Sequence, residues 1–298
     1  MTRRLTGIIV LVAGLVLGTA ALMSGAISEG ETAARVVRSF SLEPGQELRV
    51  VGWNGPITYE TWDRDVVQIE AVAEPWGVVQ AVWRMLGGEA NVNFTEDERG
   101  VAVRVDASGG MLGRASLRIG FHIWVPEDWS GTVVLNTTNG RIEARGLAGD
   151  ATLKTSNGAI WVDGVSGALD ARTSNGAIRL ADVDASVTAV TSNGTVRVLG
   201  GTLRSTGRVQ TSNGGVELRV GLSRDAFYDV TTSNGTVTAV LAEPDVSLDL
   251  TTFNGEVRLQ MEVTVSTIGQ RRLVGRIGEG NAFLKIRTTN GSIILGRL

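Results

Sequence analysis

The amino-acid sequence predicts an all-β protein: a single-stranded, β-helix-like β-solenoid with rungs of about 18–20 residues, preceded by one N-terminal transmembrane or signal helix. Three observations predict it. Asn-Gly recurs at Asn139, Asn157, Asn175, Asn193, Asn213, Asn234, Asn254 and Asn290, with spacings of 18, 18, 18, 20, 21, 20 and 36 residues. After each copy, apolar and polar residues alternate with period two, the pattern of a strand with one buried face. Residues 5–28 form an uncharged run long enough to span a bilayer.

In chain order, the export segment comes first. Arg3 and Arg4 precede the apolar run, and Glu29 and Glu31 follow it. The positive flank keeps the N-terminus in the cytoplasm and sends the remainder outside. Residues 1–28 read as an uncleaved signal anchor because of the length of the run. Ser24 and Ala26 also make a small-x-small pattern that a signal peptidase accepts, which leaves cleaved secretion open. Both outcomes leave the bulk of the chain extracytoplasmic, at the cell surface or in the periplasm.

Residues 36–130 form a β-rich N-terminal region of weaker periodicity. Residues 48–51 lead through the variant corner Trp53-Asn54-Gly55-Pro56-Ile57 into residues 58–63, and further strands are expected at 66–72, 90–94, 101–105 and 117–125. Residues 75–88 interrupt them: Trp76, Val79, Trp83 and Leu86 fall at helical spacing behind Pro75, and Gly87-Gly88 ends the pattern. The insert reads as a helix covering an open flank of the stack. The alternative is an interfacial helix at the membrane surface.

Residues 131–298 are the regular β-solenoid. Two positions after each repeat glycine stand Ile142, Ile160, Ile178, Val196, Val216, Val237, Val257 and Ile293. Two positions further stand Ala144, Val162, Leu180, Val198, Leu218, Ala239, Leu259 and Leu295. The residue between is mostly polar, as with Glu143, Arg179, Arg197, Glu217, Thr238 and Arg258; Trp161 and Ile294 are the exceptions. The second half of each early unit repeats the logic with Ala151/Leu153, Leu169/Ala171 and Val187/Ala189. One such unit cannot bury its apolar face, but stacked units can. The 36-residue interval between Asn254 and Asn290 equals two 18-residue units, so a degenerate unit, or a unit plus a loop, is expected there.

The Asn-Gly corners read as structural. Asn and Gly tolerate φ > 0 at a turn, and stacked Asn amides can hydrogen-bond along the axis as a ladder. Calcium-binding β-rolls need a recurring Asp that these corners lack. The sequon matches at Asn193, Asn234 and Asn290 follow from the repeat itself. At the C-terminal end the chain stops within a strand, with Ile294 in an outward column. That final rung is expected to present an open edge, covered by residues 261–287 folding back so that Leu273, Val274 and Ile277 lie over Ile294, or else by a second copy of the chain.

Composition narrows the chemistry. There is no cysteine, which excludes disulfide scaffolds, thiol nucleophiles and Cys-ligated metals. The single histidine, His122, lies in an expected strand without metal-ligand partners nearby in sequence, and reads as a packed or rim residue. Lys154 and Lys285 are the only lysines, arginines alternate with acids, and the net charge of −3 carries no basic stripe for nucleic acid. No catalytic, cofactor-binding or metal site is expected.

Trp53-Asn-Gly-Pro-Ile, Thr61-Trp-Asp, the strand from Phe121 to Pro126, the serial Thr-Ser-Asn-Gly units and the closing Thr288-Thr-Asn-Gly-Ser-Ile together resemble the bacterial β-strand-repeat family named "putative adhesin", related to the toast-rack domains. The resemblance covers residues 45–298. It implies an envelope-attached β-solenoid serving surface adhesion or envelope signalling, and brings no catalytic residues. The helix expected at 75–88 departs from the family pattern.

Three function classes follow. One is a non-enzymatic binding or adhesion module whose partner is an envelope protein or a polysaccharide. A second is an envelope-stress sensing arm or scaffold for a membrane signalling protein. The third, a polysaccharide-degrading β-helix enzyme, ranks last because it needs acids stacked on neighbouring rungs, and the outward column shows none. Oligomeric state is left open.

Overall fold

The computed structural model describes residues 34–74, 90–107, 118–269 and 271–298. The export segment of residues 1–28 and the helix expected at 75–88 lie outside the described residues. Within them every regular element is a strand, and no helix is long and apolar enough to cross a membrane.

The N-terminal strands are β1 (Ala34–Phe40), β2 (Glu47–Val51), β3 (Ile57–Trp62), β4 (Val67–Glu74), β5 (Ala90–Asp97), β6 (Gly100–Ala107) and β7 (Arg118–Pro126). The repeat region supplies β8 (Thr132–Asn136), β9 (Ile142–Ala148), β10 (Ala151–Lys154), β11 (Ile160–Arg172), β12 (Ile178–Val190), β13 (Val196–Leu203), β14 (Thr206–Gln210), β15 (Val216–Leu222), β16 (Phe227–Thr232) and β17 (Val237–Leu241). The chain closes with β18 (Val246–Thr252), β19 (Val257–Leu259), β20 (Thr264–Ile268), β21 (Arg272–Ile277), β22 (Ala282–Thr288) and β23 (Ile293–Arg297).

These strands make two parallel ladders with a shared core between them. Ladder I runs β6, β2, β8, β10, the second half of β11, the second half of β12, β14, β16, β22, β18. Ladder II runs β7, β3, β9, the first half of β11, the first half of β12, β13, β15, β17, β23, β19. Each rung takes one strand from each ladder. Ten rungs spaced ~4.8 Å apart give a body roughly 43 Å long. The weakly periodic N-terminal strands are rungs of the same stack: β2 pairs with β8, and β3 with β9.

The register is that of the repeat. Ile142, Ile160, Ile178, Val196, Val216, Val237 and Ile293 stand directly above one another and are all buried, as are the residues two positions on. Both positions carry mainly β-branched or aliphatic side chains, which pack well on a pleated surface. The two corners of a rung differ. At the second, β11 and β12 pass from ladder II to ladder I without a break, bending at Gly164 and Asp182, whose φ values are +75° and +48°.

The Asn-Gly corner needs its glycine for a different reason than the one expected. No Asn-Gly glycine lies in the left-handed region. A Cβ on Gly158 would stand 1.8 Å from the carbonyl oxygen of Gly140, and one on Gly176 would stand 1.8 Å from that of Gly158. Backbone therefore rests on backbone at this corner. The buried threonine of each copy completes the contact: the hydroxyls of Thr155, Thr173 and Thr191 each donate 2.9 Å bonds to the carbonyls of Gly140, Gly158 and Gly176 in the rung below.

At both ends the order of the stack departs from the order of the chain. β6/β7 lies outside β2/β3, and β22/β23 is inserted between β16/β17 and β18/β19. The expected open edge at the C-terminus is thus corrected: β23 is paired on both sides, with β17 and with β19. No extra rung fills the interval between Asn254 and Asn290. It holds the β20–β21 hairpin, which folds back as expected but covers a different edge: β21 runs antiparallel to β18. β4, β1 and β5 cap the N-terminal end in the same antiparallel manner.

Candidate functional site

The eight Asn of the repeat line one corner of the stack, and Asn54 of the variant corner stands below them. The Nδ2 of Asn139 donates to Oδ1 of Asn54, Asn157 to Asn139 at 2.5 Å, Asn175 to Asn157 at 2.7 Å, and Asn193 to Asn175 at 2.8 Å. The column continues through Asn213 and Asn234 to Asn290 and ends at Asn254, following stack order. From Asn139 to Asn290 each amide spends one N–H and one lone pair on its neighbours, so the ladder ties rung to rung; an exposed bond of this kind contributes about 1 kcal/mol. Beside it runs a row of Ser and Thr hydroxyls with an exposed aromatic at each end, Trp53 and Phe253.

A richer surface lies on the outer face of ladder II. Because side chains alternate along a strand, the residues between the two buried columns point outward together. Near the N-terminal end, Trp124 stacks between Trp62 at 5.8 Å and the His122 ring at 3.8 Å, and Arg64 lies over Trp62 at 4.7 Å. His122 also meets Glu60, with 3.2 Å between Nε2 and Oε2, and Glu60 binds Arg145 at 2.6 Å. Arg145 is held from its other side by Glu143 at 2.8 Å. The lone histidine thus occupies an outward position, half-buried by an aromatic neighbour. Among the described residues no cluster of three His, Asp or Glu side chains is arranged to hold a metal ion.

One rung further along, Trp161 interrupts the polar column. Arg141 packs on one face of its indole, with the guanidinium carbon 3.9 Å from the ring centroid, and 38% of the residue remains exposed. A shallow pocket of about 160 Å³ opens beside it, lined by Glu143, Arg145, Trp161, Asp163, Arg179 and Ala181 among others. The pocket exists because Ala181 occupies a column that holds Arg145 and Asp163 in the two rungs below and Leu199 in the rung above. A methyl group there leaves room that longer side chains close elsewhere.

The electrostatics of this pocket are uneven. Arg145, Arg197, Arg219 and Arg258, on the same face, all have carboxylate partners. Arg179 has none among the described residues, and its cross-strand neighbour on one side is Arg197. The chemistry on offer is a fixed aromatic surface, a free guanidinium with a fork of donors, and carboxylate acceptors at Asp163 and Glu143. That set can stack against, ion-pair with and hydrogen-bond a ligand.

Alternation in the sequence identifies Glu143, Trp161, Arg179, Arg197 and Glu217 as outward residues. It does not bring out Glu60, Arg145, Asp163 or the Trp62–Trp124–His122 stack, which belong to the next outward position or to the swapped N-terminal rungs. Trp161, as the one aromatic among charges, was the available signal.

Comparison with known proteins follows from this geometry. The Toastrack DUF4097 family profile matches residues 123–295. No curated protein matches. Among solved structures, a "putative adhesin" from Parabacteroides distasonis is 11% identical, with 88% of this chain and 97% of that chain covered at a TM-score of 0.46. A "putative lipid binding protein" from the same organism is 12% identical, covering 88% and 96% at 0.40. A "putative cell adhesion protein" from Clostridium sporogenes is 9% identical, covering 90% and 100% at 0.30.

Proposed function

We propose that this chain, which belongs to the Toastrack DUF4097 family, is a non-enzymatic binding module of the bacterial cell envelope, held outside the membrane by the apolar run of residues 5–28. A stiff parallel stack is a poor hinge and a good arm: its core is continuous and every rung is bonded to the next. The observation that carries the reading is the outer face of ladder II. Four aromatic rings, Trp62, Trp124, His122 and Trp161, are set among charged side chains there, and Arg179 beside Trp161 has no carboxylate partner among the described residues. Half-buried aromatic rings beside an exposed Trp161 and exposed Arg groups, gathered in one area, mark a recognition surface more than they serve a monomer's stability.

The test uses the full chain in its own host. External protease on spheroplasts is expected to digest everything beyond about residue 30, leaving a membrane-retained stub. Deleting the gene is expected to lower retention of cells on surfaces coated with envelope polysaccharide, and the wild-type gene, but not one encoding Trp161→Ala, to restore it. Protection of the chain from protease overturns the location. Unchanged retention in the deletion strain overturns the adhesive role and leaves the sensing arm, in which the partner is a membrane signalling protein.

A further inference from the structure

We infer that the pocket between Trp161 and Arg179 is a binding site for a carboxylated sugar, one uronic-acid residue of an acidic glycan. The inference rests on the binding-module reading and names the ligand class for its surface. Three features of the pocket specify it. Among the described residues Arg179 has no carboxylate partner, unlike Arg145, Arg197, Arg219 and Arg258 on the same face, and it presents a planar fork that matches a carboxylate with two parallel hydrogen bonds. Trp161 is held rigid by Arg141 on one side and exposed on the other, a flat apolar surface of the kind that covers the C–H face of a pyranose ring. Asp163 and Glu143 supply only acceptors, which suit ring hydroxyls as donors.

The same residues argue against a phosphate. Two carboxylates, Glu143 and Asp163, line the pocket beside Arg145 and Arg179, and Arg145 is already paired with Glu143, so a dianion meets more repulsion there than a monoanion does. A neutral sugar leaves Arg179 without a counter-charge, whereas a bound carboxylate supplies one; Arg197 beside it is already paired with Glu217. The pocket volume, about 160 Å³, admits a single ring rather than a length of chain. The ligand is therefore a terminal or projecting uronate.

The experiment titrates the full-length protein with trigalacturonate, with its carboxyl-methylated ester, and with inorganic phosphate, followed by calorimetry. The expected result is saturable binding of trigalacturonate, at least about tenfold weaker binding of the ester, and a similar loss for Arg179→Gln and Trp161→Ala, the size of one charge-assisted contact pair. Arg258→Gln, which removes an arginine from the far end of the same face, is expected to bind as the wild type does. All three side chains are exposed, so unchanged melting temperatures report intact folds. Equal binding of acid and ester, phosphate binding that matches the uronate, or full affinity in Arg179→Gln overturns the inference. If trigalacturonate fails while wild-type cells still out-adhere the deletion strain, the carboxylate assignment falls and the binding module stands; if adhesion fails as well, both fall.

Discussion

From β8 to β17 the chain climbs one rung at a time, and each rung is built like the last. At the two ends it does not: the first rung laid down is second in the stack, and the last laid down is ninth of ten. The difference shows what each region has to solve. A middle rung has neighbours on both sides, so identical units suffice. An end rung has a naked backbone edge, and a sequential solenoid would leave its terminal strand there to fray or to pair with another chain. By laying β18/β19 first and then returning to insert β22/β23, the chain places its C-terminal strand between two paired neighbours. The edges left over at the C-terminal end are β19, three residues long, and β20, the outer strand of an antiparallel cap.

The largest effect is expected in the middle. Ile178 is 1% exposed, with Ile160 below it and Val196 above. Ile178→Asp buries a carboxylate without a partner at a cost of several kcal/mol, comparable with a typical stability margin of about 5–15 kcal/mol. Cooperative thermal unfolding should be lost; a melt like that of the wild type would break the inward assignment.

Deleting residues 293–298 is the corresponding test at the end. It removes the fully buried Ile293 and Leu295, each worth about 1.5–3 kcal/mol, and leaves β17 and β19 without their shared partner. A disposable last strand would cost far less. In the intact protein, amide exchange in β23 should be as slow as in β17, whereas β20, exposed along its whole length, should exchange fast. Equal rates in β23 and β20 would refute the inserted rung.

Two glycines separate the two corners. Gly176→Ala drives a methyl group into the carbonyl of Gly158 and should cost about 3 kcal/mol or more, since backbone cannot step aside. Gly164→Ala meets nothing closer than 3.7 Å and suffers only from its left-handed φ, a cost of about 1 kcal/mol. Asp182, which stands in the same column with φ +48°, already shows that the second corner accepts a side chain. Urea denaturation of the two variants gives the ranking directly.

A further effect concerns pH. Tyr228 is buried where Gly207 leaves room for its ring; its hydroxyl accepts from Val187 N–H at 3.0 Å and donates to Arg204 O at 3.1 Å. Burial pushes its phenol up from 10.0 to about 12, against a smaller opposing pull from the Val187 amide. The folded state therefore holds the proton more tightly than the unfolded chain does. This contribution is complete below pH 10 and is lost as pH rises towards 12. Tyr228→Phe should flatten part of that alkaline decline while costing about 1–2 kcal/mol at neutral pH by leaving the Val187 amide unpaired. Tyr59, whose phenol burial also raises, leaves a residual slope. An unchanged alkaline melting profile in the variant would remove Tyr228 from the account.

What the sequence by itself determined is everything that depends on local period. Alternation says which side chains face in, and the 18-residue recurrence says how long a rung is. The repeated Thr and Asn say that something is shared from rung to rung. These are short-range facts, because a strand places successive side chains on opposite faces whatever it pairs with. The order of rungs was not legible for the same reason. Every rung from β8/β9 to β18/β19 offers the same Thr, Asn and Gly edge, so any of them fits on any other, and the local pattern carries no address. The reason for the corner glycine was hidden too, since a clash with the rung below exists only once the rungs are stacked. Only the tertiary structure decided that Asn290 follows Asn234, that residues 260–281 carry a cap instead of a rung, and that Ala181 falls beside Trp161 and an unpaired Arg179. Each of these depends on which strand lies next to which, a choice made by long-range pairing and by the need to protect edges.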